Sequence, residues 1–350
     1  MIGTSISFMF EAILIALLMV CLVSWISLLL ARRVGLLDLP NSAPHKVHTE
    51  PTPLAGGIAF YVTMLLAGWF SGTFQEQSIL AAFLGGAIVF LFGLWDDFKG
   101  ISPLLKLIGQ SLAVLVLVGM GVQVRIFESP EFFLGVNDQV NIYLDLILTF
   151  VWIVGITNAF NFVDSTDGLA VGIAGLAAAF FTLVTLDAGQ TVLSYQSALI
   201  LGACIGLFFF NSSPAILFLG DSGAQTLGFV LAVLGIAYRP LGANQSSSWV
   251  VPIMLLGIPI FDMTLVVLSR FRRRKPVYTA ARDHTYHRLL TLGLNSNRAV
   301  VSMHIISLLL GCLAFVVLTR PPVIANAIFL MILLIGAAGI YYLDNRNRWP

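Results

Sequence analysis

Charge is what this chain has least of. Only 10% of its 350 residues are Asp, Glu, Lys or Arg, against about 25% in a soluble domain. With 58% apolar residues and a mean hydropathy of +0.95, that deficit excludes an ordinary water-soluble globule. It predicts an all-α polytopic membrane protein, a helix bundle in lipid. The net charge of +1 says nothing about partners by itself. Cysteine is almost as scarce. Cys21, Cys204 and Cys312 all fall inside apolar runs, with no metal-ligand spacing and no even count, so they read as packing residues. The first thirty residues lack a basic leader and a small-residue cleavage site, and Arg32 and Arg33 follow the apolar run. A retained first span is expected rather than a removed signal peptide. Obvious repeats, low-complexity tracts and interdomain linkers are absent, so residues 1–350 read as one domain.

A spanning helix needs roughly 20 mostly apolar residues, and about eleven runs qualify. They are Ile6–Leu30, Leu54–Phe70, Ile79–Trp95, Leu104–Val122, Tyr143–Ala159, Leu169–Leu186, Val192–Phe210, Gly223–Tyr238, Trp249–Leu268, Ala299–Leu318 and Val323–Tyr342. If these alternate in direction, fifteen Lys and Arg fall on one side, and only Arg125, Arg239 and Arg320 on the other. The positive-inside bias places the N-terminus outside and the C-terminus in the cytoplasm. Loops near 31–53, 96–103, 159–168, 211–222 and 269–298 are then cytoplasmic.

Eight aspartates collect on that same side: Asp38, Asp96, Asp97, Asp164, Asp167, Asp221, Asp262 and Asp283. All lie near or beyond the ends of runs except Asp262, which is well inside one. A carboxylate beside hydrocarbon is costly and is normally kept for function. So many on one face imply a polyanion site organised by a divalent cation, hence an enzyme acting on phosphates at a membrane surface.

The first loop carries Asp38, Lys46, His48 and Gly56-Gly57. It reads either as a solvated connection punctuated by Pro and Gly, or as a phosphate contact in which Lys46 and His48 meet the anion and the glycines permit close backbone approach. The second pairs Asp96 with Asp97 and has Lys106 ten residues after Asp96. Adjacent carboxylates both ionise comfortably only with a cation nearby, and Mg²⁺ prefers one or two carboxylates plus waters and substrate phosphates. The plainer alternative is two helix-end acids facing water.

In the third, Asn158, Asn161 and Asp164 share a face if the helix continues, Asp167 follows, and Gly168 allows a break. A polar helix seam is the alternative. A calcium loop is disfavoured by the missing alternation of acidic ligands. The fourth holds Asn211, Phe218 and a Gly220-Asp221-Ser222-Gly223 turn before a helix, an arrangement suited to anions. There Asp221 would add a carboxylate for the metal, and Phe218 either stacks on a base or faces core or lipid.

In the fifth, Arg270–Lys275 reads as a topology determinant and anionic-lipid contact. The cluster Asp283-His284-Thr285-Tyr286-His287-Arg288 instead suits a diphosphate. Zinc is disfavoured because no Cys or third His lies nearby.

From about Asp38 to Arg288, these constellations in this order resemble the polyprenyl-phosphate N-acetylhexosamine-1-phosphate transferase family, glycosyltransferase family 4. The match covers the Asp-Asp pair, Asn-Ala-x-Asn-x-x-Asp-x-x-Asp-Gly, Asn-x-x-Pro-Ala-x-x-Phe-x-Gly-Asp-x-Gly and a His-containing final loop. The resemblance implies transfer of a sugar 1-phosphate from a UDP-sugar donor to a polyprenyl phosphate acceptor such as undecaprenyl phosphate, leaving UMP. It also implies Mg²⁺ (or Mn²⁺), a multi-pass position in the cell membrane and a cytoplasmic active site. No nucleic acid partner is expected beside the lipid bilayer, and the oligomeric state, homodimer included, stays open.

By the same resemblance, Asp96, Asp97, Asp164 and Asp167 are the catalytic carboxylates. Asp221, Asp96, Asp97 and Asn161 form the metal set. Lys46, His48, Lys106, Asn158, Asp164, Asn211, Phe218, His284, His287 and Arg288 contact substrates. Within that set Asp164 and Asn211 would recognise the uridine, with Phe218 against the uracil.

Three departures stand out: Pro44-His45 ahead of Lys46, Ser165 in place of a glycine, and a looser final His cluster. The triple-His pattern of the muramyl-pentapeptide branch is absent, so a UDP-GlcNAc-type donor is expected, with UDP-MurNAc-pentapeptide as the alternative. A transporter would need acids in mid-span, where only Asp262 comes close. A non-catalytic lipid-binding scaffold would tolerate loss of the acids, which are all present.

Overall fold

The structure is a computed structural model that describes residues 2–40, 50–128, 137–240, 249–276 and 282–345. The described residues are helical almost throughout, as expected. Among the described residues thirteen α-helices occur, and eight of them are long and apolar enough to cross a membrane. The first five are α1 (Ile2–Val34), α2 (Gly56–Ser71), α3 (Gln77–Lys99), α4 (Pro103–Gly119) and α5 (Asp138–Val163). Then come α6 (Leu169–Asp187), α7 (Thr191–Asn211) and α8 (Gly220–Ala237). The last five are α9 (Val250–Leu255), α10 (Gly257–Arg272), α11 (Thr285–Thr291), α12 (Ser296–Leu318) and α13 (Pro322–Asp344).

Ten of the eleven apolar runs coincide with one helix each, α2 and α4 being short at 16 and 17 residues. The ninth run is not one span but two helices, α9 and α10, parted at Leu256 (φ −101°, ψ 18°). Pro259 supplies the reason: it has no N–H to give the Leu255 carbonyl, so the ladder cannot run through. As a first-turn residue of α10 it is tolerated.

α8 runs through the middle of the bundle, packed by α3 on one side and α5 on the other, with α2 beside its start. α6 and α7 pair closely, and α1 lies along α7. Phe160, Phe181, Phe229, Leu169, Ile173 and Leu199 are fully buried between these helices. Leu14, Leu18 and Leu22 of α1, and Leu330, Leu333 and Leu334 of α13, are exposed. Apolar residues turned outward on long helices are what lipid requires.

One feature was not expected: a two-stranded antiparallel pair, β1 (Leu37–Asp38) with β2 (Thr52–Pro53), in register Leu37↔Pro53 and Asp38↔Thr52. Leu54 then bridges Phe218. The Phe218 N–H donates to the Pro53 carbonyl at 2.9 Å, and Gly56 N–H donates to the Phe218 carbonyl at 2.9 Å. This short pairing fastens the first loop to the segment entering α8.

Candidate active site

The site is built on the first turn of α8. Four N–H groups at a helix start lack intrahelical partners, and Asp97, at the end of α3, meets two of them. Its Oδ1 accepts from Asp221 N–H at 2.7 Å. Its Oδ2 accepts from Ser222 N–H at 3.1 Å and from the Ser222 hydroxyl at 2.6 Å. The approach requires Gly220, which sits at φ +69° and whose Cβ would lie 2.6 Å from Asp97 Oδ2. Gly57 and Gly93 serve the same junction: a Cβ on Gly57 would meet the Ser222 hydroxyl at 2.3 Å, and one on Gly93 the Ser222 Cα at 2.6 Å. Gly56 and Gly57 therefore let α2 pack closely against the α8 start.

Asp221 then projects toward Lys106, Asn161 and Asp96. Lys106 Nζ bridges the two acids, 2.6 Å from Asp96 Oδ2 and in direct contact with Asp221 Oδ2. Asn161 Nδ2 donates to Asp221 Oδ1 at 2.9 Å, and Gln225 Nε2 to Asp221 Oδ2 at 3.2 Å. Asp96 Oδ1 accepts from Ile101 N–H at 2.7 Å. Four helices, α3, α4, α5 and α8, thus deliver two carboxylates, an ammonium and amides to one point. Among the described residues no three carboxylate or imidazole groups form a ready-made metal cage.

The turn after α5 lies next to this point. Burial and the negative charges of Asp221, Asp97 and Asp167 push the Asp164 carboxyl up to about 8. Asp167 Oδ2 accepts from Ala215 N–H at 3.2 Å. Asn211 is 2% exposed; its Oδ1 accepts from Gly168 N–H at 3.1 Å and its Nδ2 donates to the Leu217 carbonyl at 3.0 Å. Both ends of the amide are taken by backbone. Asn211 therefore ties the loop after α5 to the segment entering α8. Phe218 is half-buried, with its backbone in the β2 junction.

The final loop packs on α10. Arg270 grips Asp283 at 2.9 and 2.8 Å. Arg272 and Arg273 lie 2.5 and 3.2 Å from Asp344. Three members of the basic run are therefore ion-paired, rather than simply a topology signal. Asp262 is 1% exposed and holds the loop through Thr285 N–H at 2.6 Å and His284 Nδ1 at 2.9 Å. Paired within the protein, it does not form the mid-span site of a transporter.

His284 meets Phe162, the neighbour of Asn161, edge-on at 5.6 Å, and His287 at 6.1 Å. Burial, helped by the charges of His284 and Arg282, pulls His287 down to about 4, against the opposing pull of Asp262 and Asp283. Burial alone would raise the Asp283 carboxyl, but its ion pair with Arg270, with His284 and Arg288 nearby, holds it below the usual range.

Arg288 departs from expectation. It is fully buried, donating to the Asp283 carbonyl at 2.8 Å, the Leu343 carbonyl at 3.1 Å and Asp344 Oδ1 at 3.3 Å. These bonds brace α11 against α13. Lys46 and His48 lie outside the described residues. Gln110 and Gln225 were missed by sequence reasoning. Their signal was present: a glutamine in each of two apolar helices, one of them four residues after Asp221.

Fold and site together define a polytopic helical membrane protein with a carboxylate–lysine–amide centre at one end of its bundle. The sequence model of glycosyl transferase family 4 matches residues 79–239. A decaprenyl-phosphate N-acetylglucosaminephosphotransferase of Mycobacterium tuberculosis is 33% identical over 315 residues, covering 82% of this chain and 76% of the relative. The chain belongs to that family. A Bacillus subtilis protein named "Probable undecaprenyl-phosphate N-acetylglucosaminyl 1-phosphate transferase" is 29% identical over 327 residues, 93% of this chain and 88% of the relative. The undecaprenyl-phosphate alpha-N-acetylglucosaminyl 1-phosphate transferase of Escherichia coli K12 is 26% identical over 286 residues, 80% and 76% of the two chains.

Proposed function

We propose that this protein transfers GlcNAc 1-phosphate from UDP-GlcNAc to a polyprenyl phosphate at the cytoplasmic face of the cell membrane, giving a lipid-linked diphosphate sugar and UMP. The observation that carries the reading is the meeting of Asp96, Asp221, Lys106 and Asn161 at one end of a membrane-embedded bundle. The names of the relatives support the donor and acceptor.

Both substrates are anions, so their approach needs fixed positive charge. A phosphate monoester is mostly ionised near pH 7 and can attack directly. In a single displacement, a lipid phosphate oxygen bonds to the β-phosphorus of the donor. The bond from that phosphorus to the α–β bridging oxygen breaks, and UMP leaves. Lys106 would follow the phosphate charge, while Asp97 keeps the α8 start, and with it Asp221, in place.

The donor set suits Mg²⁺. It is oxygen-rich, offers two carboxylates already sharing one cation, and leaves the remaining positions to water and substrate phosphates, as Mg²⁺ prefers. Asp96, Asp221 and Asn161 would hold it; when bound it supplies Lewis-acid stabilisation of phosphoryl charge. Asp97 is taken up by α8 and would support the set from behind.

The test uses purified protein, undecaprenyl phosphate, Mg²⁺ and a panel of UDP-sugars including UDP-MurNAc-pentapeptide. UMP release that requires lipid, Mg²⁺ and Asp221, and is fastest with UDP-GlcNAc, supports the reading. Absence of UMP with every donor, from folded protein, rejects it.

A further inference from the structure

Two glutamines lie inside the membrane bundle with no part in the reaction just described. Gln110 is 1% exposed and Gln225 2% exposed. A polar side chain in such a place is expensive unless every donor and acceptor is matched. Here they are matched in one order. Asn158 Nδ2 donates to the Val154 carbonyl at 2.8 Å and to Gln110 Oε1 at 2.7 Å. Gln110 Nε2 donates back to Asn158 Oδ1 at 3.3 Å and onward to Gln225 Oε1 at 3.0 Å. Gln225 Nε2 then donates to Asp221 Oδ2 at 3.2 Å.

The direction of this chain is forced. The Val154 carbonyl can only accept, so the Asn158 nitrogen must face it. The oxygen of Gln110 must then face Asn158, its nitrogen must face Gln225, and Gln225 is left with its nitrogen toward Asp221. No amide can flip alone without setting oxygen against oxygen. Amide orientation is ordinarily ambiguous; the backbone carbonyl at one end and the carboxylate at the other remove that freedom.

We infer that Gln110 and Gln225 form a relay that fixes the orientation of Asp221, making both of them positioning residues for the transfer reaction. Asn161 takes one oxygen of the carboxylate and Gln225 the other, so the plane of the group is set before any ligand arrives. Lys106 shares that second oxygen but sits on a flexible stem. When Lys106 leaves to follow a phosphate, Gln225 still holds the carboxylate. The relay rests on the proposed role of Asp221.

The test uses full-length protein carrying Gln225→Met, Gln110→Met or both, which keep volume and remove the hydrogen bonds. Polar groups that orient metal-site ligands are worth about 10–100-fold in activity or affinity. Gln225→Met is expected to lower kcat for UMP release by that range with little change in KM for the donor. Gln110→Met should lower kcat although it does not touch Asp221. The double variant should be no slower than Gln225→Met, because Gln110 acts only through Gln225; independent effects would multiply.

A second readout needs no turnover. The rise in unfolding temperature caused by Mg²⁺ alone should be smaller in Gln225→Met than in the wild type. A wild-type kcat and Mg²⁺ response in Gln225→Met, or multiplicative losses in the double variant, overturns the relay. If Gln225→Met does not fold, Gln110→Met decides: reduced kcat supports the relay and unchanged kcat overturns it. Asp221→Ala separates the two claims. Activity retained there sinks the proposed site itself, whereas activity lost there but kept in the glutamine variants sinks only the relay.

Discussion

Asp97 holds Ser222 twice, accepting from its N–H at 3.1 Å and from its hydroxyl at 2.6 Å, and so fastens the end of α3 to the start of α8. Asp96, its neighbour in sequence, makes no such contact and instead shares Lys106 with Asp221. Two adjacent acids therefore carry different duties.

The two should separate on substitution. Asp97→Ala leaves the N–H groups of Asp221 and of buried Ser222, and the Ser222 hydroxyl, without their acceptor, at a cost of about 1–3 kcal/mol for each buried group, so its unfolding temperature should fall. Asp96→Ala orphans a single backbone N–H, that of Ile101, and should unfold closer to wild type yet release no UMP. Equal destabilisation in both variants would contradict this division.

Lys106 occupies the space between Asp96 and Asp221 where the proposed Mg²⁺ would be held. Lys106→Met should therefore lower the Mg²⁺ concentration that gives half the maximal thermal stabilisation without substrate. It should also reduce kcat by about 10²–10³, the usual effect of losing one positioned charge donor. A weaker Mg²⁺ response in this variant would mean that Lys106 supports the cation instead of competing with it.

His287 gives a pH test. Its pKa falls from 6.5 to about 4 in the folded chain, so between those values the unfolded chain binds more protons. Its contribution to stability is complete above about 6.5 and is lost as pH falls toward 4. His287→Phe should flatten that part of the stability–pH curve; an unchanged slope would show that other groups carry it.

Gly93→Ala would put a Cβ 2.6 Å from the Ser222 Cα, whereas on the same helix Gly86→Ala meets nothing closer than 3.8 Å, on Phe229. Overpacking costs about 1–3 kcal/mol. Gly93→Ala should therefore lose stability and activity together, and Gly86→Ala should keep both. Thermal unfolding and UMP release on the two variants check this.

The helical membrane architecture and the grouping of the acids are legible along the chain. Both follow from local pattern: apolar runs long enough for lipid, broken where carboxylates and amides appear. Asp96, Asp221, Lys106 and Asn161 stand out there too, as polar residues near the ends of apolar runs. What the sequence could not assign was which partner each polar group takes, because that depends on helices far apart in the chain. Asp97 and Asp96 look alike until α8 docks on α3. Asn211 and Arg288 read as ligand contacts, and only the tertiary structure shows that they also tie backbone segments and Asp344 together. Asp262 stood out as the one acid well inside a run, and only the return of residues 283–285 onto α10 gave it partners. The glutamine relay needs α4, α5 and α8 side by side. In a buried, low-dielectric interior each polar group must find its match, and only the tertiary structure brings the candidates within reach.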